Sequence, residues 1–313
     1  MNEVLKNFLK STPLVRNILN DYQLSHNKNG IASYRITKRK IQRFIDLLNS
    51  DYPQVHVNFL DVGAYDGLAS TCGMPVNAIF GYLKLLKNRT IHGIEPEQET
   101  IDRLLKSKEY DKIYPYAAGP TNGECTFYIT ITNWIGCSSL SEPDPDYIAQ
   151  YSPLWASWWT TKRTCTTKTK TLKDIIEPTP YDFTRMTLLG SHFEILEGMD
   201  HSFFHNLTCI QLLTHAIPFY KNQHTLGDIL NFFKDQNFVP IAMVPYTWFA
   251  DLEIHHNVTF VKSPTEIKML DQLLKHCLIG MMLQKPYYVS YLLNKFRSLF
   301  PNEQAYRKIW RYV

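Results

Sequence analysis

The most chemically suggestive stretch of the chain is an acid closing an apolar run and followed by small residues, Asp61-Val-Gly63-Ala64-Tyr65-Asp66-Gly67. Small residues at 63, 64 and 67 let a backbone approach a ligand closely, and glycine reaches angles closed to other residues. A second acid, Glu95, ends the next apolar run and is followed by Pro96. There its carboxylate is placed to accept hydrogen bonds from a ribose diol. In an open α/β sheet such turns line the crevice beyond the strand carboxyl ends, where ligands bind. The pair therefore predicts a nucleoside-containing cofactor lying over the first two strands.

The turn also narrows the cofactor. A dinucleotide fold uses GxGxxG, with a helix N-terminus facing a pyrophosphate. Here the pattern is DxGAxxG, with a carboxylate where a pyrophosphate would be repelled, which argues against a nicotinamide oxidoreductase. An acidic turn suits the ammonium group of an amino-acid cofactor. S-adenosylmethionine carries that group together with a ribose and an adenine, and is the expected cofactor.

The surrounding elements must position these groups. Strands are expected at 55–61, 90–94 and 112–118, separated by helices at 75–86 and 97–107. Residues 36–48 read as a preceding helix, with Ile41, Phe44, Ile45 and Leu48 three and four apart. Alternating strands and helices imply βαβ units and a mainly parallel sheet. A strand at 125–132 follows. Residues 134–171, dense in aromatics and threonines, read as a long functional lid or binding loop. Alternation resumes with strands at 186–189, 207–213 and 238–244 and helices at 192–197 and 225–236. Residues 264–300 read as amphipathic helix, with Leu270, Leu273, Leu274, Leu278 and Met281 in a stripe that either packs on the sheet or pairs two subunits of a homo-oligomer. The expected division is a helical extension (1–50), a cofactor-binding domain (51–262) and a second helical extension (263–313).

Composition sets the outer limits. With 313 residues, 44% hydrophobic, 13% aromatic and 20% charged, the chain has ample material for a packed core and does not read as disordered. Its net charge of +4 does not call for a nucleic-acid partner; the basic stretches 35–43 and 162–173 are the only support for RNA. No apolar run approaches the roughly 20 residues that span a bilayer, so no membrane association is expected. The first residues lack the continuous apolar core of a signal peptide. Six scattered cysteines, with no CxxC pair, read as reduced thiols in a cytoplasmic protein.

In order along the chain, seven segments resemble the FkbM-type S-adenosylmethionine-dependent methyltransferases. They are FLDVGAYDGLAS (59–70), IHGIEPE (91–97), YAAGPTNGECTFY (116–128), GCSSL (136–140), TKTLKDII (169–176), GSHFEILEGM (190–199) and IPFYKN (217–222). The resemblance implies a Rossmann-like class I methyltransferase sheet of seven mostly parallel strands with an antiparallel last hairpin. It implies methylation of a hydroxyl on a sugar or other small metabolite, with a small-molecule or glycan acceptor as partner. Carried over, Asp61, Gly63, Ala64 and Gly67 form the methionine-side turn and Glu95 holds the ribose. Ala117 lies where the adenine packs, and Ser138 and Ser139 lie near the methyl-transfer site.

The chain departs from the family after the fourth strand. Where the family reads KIDxxGxE, this chain has Arg185-Met-Thr187-Leu-Leu189-Gly190-Ser-His192, and Leu213 replaces an often acidic residue. Without an acidic pair no metal is expected. A hydroxyl nucleophile still needs a proton acceptor, and the remaining candidates are His192, Glu194 and His215. The loss of several polar positions motivates a rival expectation: a degenerate methyltransferase fold that binds without turnover.

Overall fold

Val57-Asn-Phe-Leu-Asp-Val62 forms β1, with five of its six residues buried, as a strand covered on both faces requires. It pairs in parallel with β2 (Arg89–Ile94) on one side and β7 (Phe183–Met186) on the other. Beyond β2 lies β3 (Lys112–Tyr114), and beyond β7 lies β8 (Cys209–His215), both parallel. The sheet ends in β10 (His255–Lys262), antiparallel to β8, and β9 (Phe238–Pro245), antiparallel to β10. The order β3-β2-β1-β7-β8-β10-β9 is the expected Rossmann-like class I methyltransferase sheet, with β10 as its one reversed strand. This computed structural model describes residues 36–65, 67–68, 77–130, 137–176, 180–245, 254–297 and 308.

Helices cover both faces. One face is closed by α1 (Lys38–Asp51), a 3-10 helix (Asn77–Leu85), α2 (Gln98–Lys106), α9 (Leu270–Met282) and α10 (Pro286–Phe296). Thr37 caps α1 by accepting the Lys40 N–H, and Ile41, Phe44, Ile45 and Leu48 all turn inward as their spacing predicts. Each such fully buried side chain contributes about 1.5–3 kcal/mol. The stripe of α9 packs into this same core, with Leu273, Leu274, Leu278 and Met281 buried among strand residues Phe59 and Phe183. Lys275 adds a buried tie, its Nζ 2.8 Å from Asp182 Oδ1 just before β7. The other face carries α5 (Leu172–Ile175), α6 (His192–Glu197), α7 (His201–Asn206) and α8 (Leu226–Asp235). Among the described residues no helix is long and apolar enough to cross a membrane.

Four local expectations need correction. The stretch expected as a long loop is structured throughout residues 137–171. It contains α3 (Pro145–Ala149), α4 (Pro153–Trp159) and the ten-residue strand β6 (Thr161–Lys170). Asp144 and Ser152 cap the two helices, each with proline in the first turn, and the threonine-rich run suits a strand. β6 is the centre of a second sheet, with β4 (Ala117–Ala118) on one side and β5 (Gly123–Thr130) on the other. The expected third strand is broken before Ala117, because Pro115 has no N–H to offer a ladder; β3 joins the large sheet and β4 the small one. The strands near 186 and 207 begin at Phe183 and Cys209, and the reversed strand that the resemblance implies is β10, to which the sequence pattern assigned no residues.

Candidate functional site

The strand order reverses at β1, since the chain runs from β1 outward to β2 and β3 and returns through β7 on its other side. Ligands of open α/β sheets lie at such switch points. The turn after β1 sits there. Gly63 has φ +79°, and a Cβ on it would stand 2.7 Å from the Thr187 carbonyl oxygen beyond β7. Only glycine fits both the angle and the gap. The N–H groups of Gly63 and Ala64 donate to the Ile94 carbonyl at 3.0 and 3.1 Å, so the turn leans toward the end of β2.

The rest of the turn is fastened by side chains that sequence reasoning did not single out. Gly67, at φ +80°, gives its carbonyl to Arg185 Nη2 at 2.9 Å. The Leu68 N–H donates to Glu109 Oε2 at 3.1 Å, and Arg103 donates to the carbonyl of Tyr65. Tyr65 itself is exposed and Ala64 fully buried. Asp66 lies outside the described residues.

Asp61 requires a correction. It was expected to face a cofactor's ammonium group, yet it is fully buried and both its oxygens are taken by protein donors. Arg185 Nε donates to Oδ1 at 2.8 Å and Nη2 to Oδ2 at 2.5 Å, while the Tyr110 hydroxyl donates to Oδ2 at 2.5 Å. The strands bring this pair together, since Asp61 and Arg185 are register partners in β1 and β7. A cation opposite the strand-end acid was the available sequence signal.

Glu95 is an ionisable group at the crevice among the described residues. It is buried at the end of β2, with its N–H bonded to the Tyr114 carbonyl and its Oε1 accepting the Glu97 N–H at 3.0 Å. Burial pushes its carboxyl up to about 7; the Glu97 N–H bond opposes this, and the charges of Glu97 and Asp61 add to it. Pro96 is exposed beside it, and Ala117 is buried at the start of β4.

Ser138 and Ser139 act on the backbone. Ser138 Oγ accepts the Thr130 N–H at 3.2 Å, and Ser139 Oγ accepts the Ser141 N–H at 3.0 Å and donates to the Leu189 carbonyl. The Ser139 hydroxyl latches the loop 138–141 onto the loop 187–191, and the Ser138 hydroxyl ties it to the end of β5. Gly190, at φ +89°, permits the contact, because a Cβ there would meet Ser141 Cβ at 2.7 Å.

The two histidines expected as bases are buried and neutral. His192 opens α6 at 4% exposure, and desolvation lowers it to about 4. Its Nε2 has no hydrogen-bond partner. His215 ends β8, fully buried, and desolvation first and the neighbouring His255 second hold it well below the usual range. Gln223 assigns its tautomer. Gln223 Oε1 accepts the N–H groups of Phe219 and Tyr220 at 2.7 and 3.2 Å, so its amide nitrogen faces His215 Nδ1 at 2.8 Å and donates. His215 therefore carries its proton on Nε2.

Glu194, on α6, is half-buried, and its Oε2 has no hydrogen-bond partner. The tryptophans of α4 divide. Trp159 is buried, donating to the Tyr220 hydroxyl at 3.1 Å in a small core with Phe219, Leu213 and Cys137; Trp155 and Trp158 are half-buried against it. Among the described residues no three side chains of the usual metal-ligating types are grouped to hold an ion.

No family model matches the chain, and no curated protein does. Among solved structures, it is similar to the magnesium protoporphyrin IX methyltransferase of Synechocystis, determined with S-adenosylmethionine bound. The identity is 10%, over 80% of this chain and 85% of that one, at TM-score 0.32. Precorrin-6y C5,15-methyltransferase from Geobacter metallireducens is 16% identical over 76% and 97%, at 0.30. A plantazolicin methyltransferase in complex with S-adenosylhomocysteine is 12% identical over 82% and 92%, at 0.33. Likenesses this distant say nothing of the reaction of this chain, and the strand order carries the fold assignment on its own.

Proposed function

We propose that this chain is an S-adenosylmethionine-dependent methyltransferase of the FkbM type, acting on a hydroxyl of a sugar or other small hydroxylated metabolite. The observation that carries the reading is Glu95, a buried carboxylate at the end of β2 beside a left-handed glycine turn at the switch point. A carboxylate there suits the two hydroxyls of a ribose, and Gly63 lets the turn pack directly against the Thr187 carbonyl, where any Cβ would collide. Glu95 and Pro96 hold the ribose side, Gly63, Ala64 and Tyr65 the amino-acid side, and Ala117 packs by the adenine. When bound, the cofactor supplies an electrophilic methyl group on sulfur. Asp61 keeps the turn in place through Arg185 rather than touching the ligand.

Proton removal falls to Glu194. His192, with its pKa lowered to about 4 by burial, is a weak base, and His215 presents an N–H rather than a lone pair. The Glu194 carboxylate has an oxygen without a protein donor and is the acceptor we assign to the hydroxyl proton.

The same histidines favour a second reading, a binding protein that retains the cofactor crevice without turnover. Calorimetry with S-adenosylhomocysteine on the wild type and Glu95→Ala, followed by a methyl-release assay on a glycan panel, tests both. Binding that Glu95→Ala weakens at least tenfold supports the cofactor site, and turnover supports the enzyme. Binding with no turnover on any acceptor supports the second reading, and no binding overturns both.

A further inference from the structure

The helix α4 is apolar on almost every side and still stands at the surface. Its seven residues, Pro153 to Trp159, include one polar side chain, Ser157. Ala156 and Trp159 are buried, and Trp155 and Trp158 are half-buried against the small core. Leu154, one turn before Trp158, is nevertheless 62% exposed, and Tyr151, just ahead of the helix, is 44% exposed. A helix apolar all round belongs in an interior, and contiguous exposed apolar surface marks an interaction site. We propose that this corner, Tyr151, Leu154 and Trp158 with Lys162 and Arg163 behind them, docks the protein on an anionic lipid surface.

Charge decides what the corner fits. From Tyr147 to Lys173 the chain carries five cations (Lys162, Arg163, Lys168, Lys170 and Lys173) and no Asp or Glu. Lys162 and Arg163 open β6, both exposed, and neither makes an ion pair among the described residues. Lys162 follows Trp158 by four residues, a span of at most about 14 Å. Glu124, the one acid on β5, is the register partner of Lys168, toward the other end of β6. Asp144 and Asp146 lie at the start of α3, before Tyr147, and Asp144 is used as its cap. Tyrosine and tryptophan rings with a leucine at the tip suit the boundary between headgroups and acyl chains. Cations beside them meet the negative potential of anionic lipid. A single-stranded nucleic acid would also meet the cations, but it binds by stacking on aromatic faces, and the most exposed side chain here is a leucine. The want of a spanning helix bears on crossing a bilayer, whereas lying on one needs only an apolar face beside cations.

Position gives the docking an orientation. The small core under α4 includes Leu213 near the end of β8, Val244 near the end of β9 and Ile254 just ahead of β10. Because β10 runs against both neighbours, these three lie at one end of the large sheet. The parallel strands β1 and β2 finish at that same end, which carries Gly63 and Glu95. Docking by this corner therefore brings the strand-end side of the sheet near the lipid surface. The inference stands independently of the methyltransferase reading.

Co-sedimentation of the full chain with lipid vesicles tests the proposal. Vesicles of phosphatidylcholine with about one-third phosphatidylserine are compared with phosphatidylcholine alone. Salt is raised from about 0.1 M to about 1 M, which shortens the Debye length from roughly 10 Å to roughly 3 Å. The wild type is expected to bind the anionic vesicles at low salt and to lose about tenfold in affinity on neutral vesicles or at high salt. Lys162→Glu combined with Arg163→Glu should cost a similar factor, and so should Leu154→Asp. An acid in the first turn suits a helix N-terminus, so Leu154→Asp should leave the Tm unchanged, which shows that the loss is not misfolding. No binding to the anionic vesicles, or binding untouched by these variants, overturns the proposal. Retention of a single-stranded RNA oligonucleotide, lost in the same variants, by a chain that ignores vesicles also overturns it. A concentration-dependent dimer in light scattering that Leu154→Asp dissolves, without vesicle binding, overturns it in favour of a second copy of the chain.

Discussion

Arg185 grips Asp61 with two parallel hydrogen bonds across the β1–β7 boundary, at 2.8 and 2.5 Å, and neither side chain is more than 4% exposed. The acid that most suggested ligand binding in the sequence is thereby turned into a bolt between two strand ends. Its orientation fixes the glycine turn that follows, through the Arg185 bond to the Gly67 carbonyl.

Breaking one side of this pair leaves an uncompensated buried charge, which costs about 3–5 kcal/mol. Arg185→Met should lower stability by that order in urea unfolding, and Asp61→Asn combined with Arg185→Met should recover most of the loss. The double variant should still bind S-adenosylhomocysteine within a few-fold of wild type. A loss of a hundredfold there would mean that Asp61 contacts the ligand after all.

Gly63→Ala is expected to destabilise the fold and, by displacing the turn from Thr187, to weaken cofactor binding. The left-handed angle alone costs about 1–2 kcal/mol for a residue with a Cβ. The collision with the Thr187 carbonyl adds to it and pushes β1 and β7 apart. Differential scanning calorimetry should show a lower Tm, and cofactor affinity should fall in parallel. Wild-type affinity in a folded Gly63→Ala protein would place the ligand elsewhere.

Nucleoside binding should strengthen with rising pH. The Glu95 carboxyl, pushed up to about 7 by burial, ionises between pH 6 and 8. The ionised form accepts two hydroxyls more strongly. Affinity for S-adenosylhomocysteine should therefore climb severalfold across that interval and then level, and Glu95→Gln should flatten the profile. A wild-type profile that is flat from pH 6 to 8 would contradict the role given to Glu95.

Acid should unfold the protein early. His192 is held at about 4, His255 and His276 at about 3, and His215 well below its usual value, all chiefly by desolvation. Each folded-state pKa lies below the unfolded value of 6.5, so the unfolded chain binds protons that the folded one does not as pH falls below it. Each imidazole then removes up to about 1.4 kcal/mol per pH unit until its folded-state pKa is reached. Glu95 and Asp182, whose carboxyls burial raises, act with the opposite sign, two groups against four. Tm should fall steeply from pH 6.5 to 5; an unchanged Tm over that range would show that these imidazoles are not buried and neutral.

Much of the architecture was legible because it follows from pattern. The three-and-four spacing of Ile41, Phe44, Ile45 and Leu48 put them on one helix face, and the apolar run ending at Asp61 made β1 a buried strand. β10 was missed because His255-His-Asn257 opens it with polar residues that the sheet nevertheless buries. The stretch around Trp155 was misread because its helices are short and their signals, Asp144-Pro145 and Ser152-Pro153, are local. At the site, Glu95 was legible from its place at a strand end. The commitment of Asp61 was not, because it depends on Arg185, which lies 124 residues away and meets it only once β7 pairs with β1. The tautomer of His215 depends likewise on Gln223 and the two backbone N–H groups that orient it.

The helices that close one face of the large sheet come from opposite ends of the chain, α1 before β1 and α9 and α10 after β10. During synthesis every strand of the sheet leaves the ribosome before the last two of these helices exist. Phe183, Cys209 and Val261 share that core with residues of α9 and α10, so the face is completed only when residues beyond 270 emerge. Contacts between such distant segments make folding slow and leave apolar surface open to aggregation in the meantime. A chain cut ahead of Leu270 should therefore leave that face of the sheet incompletely covered and prone to aggregate.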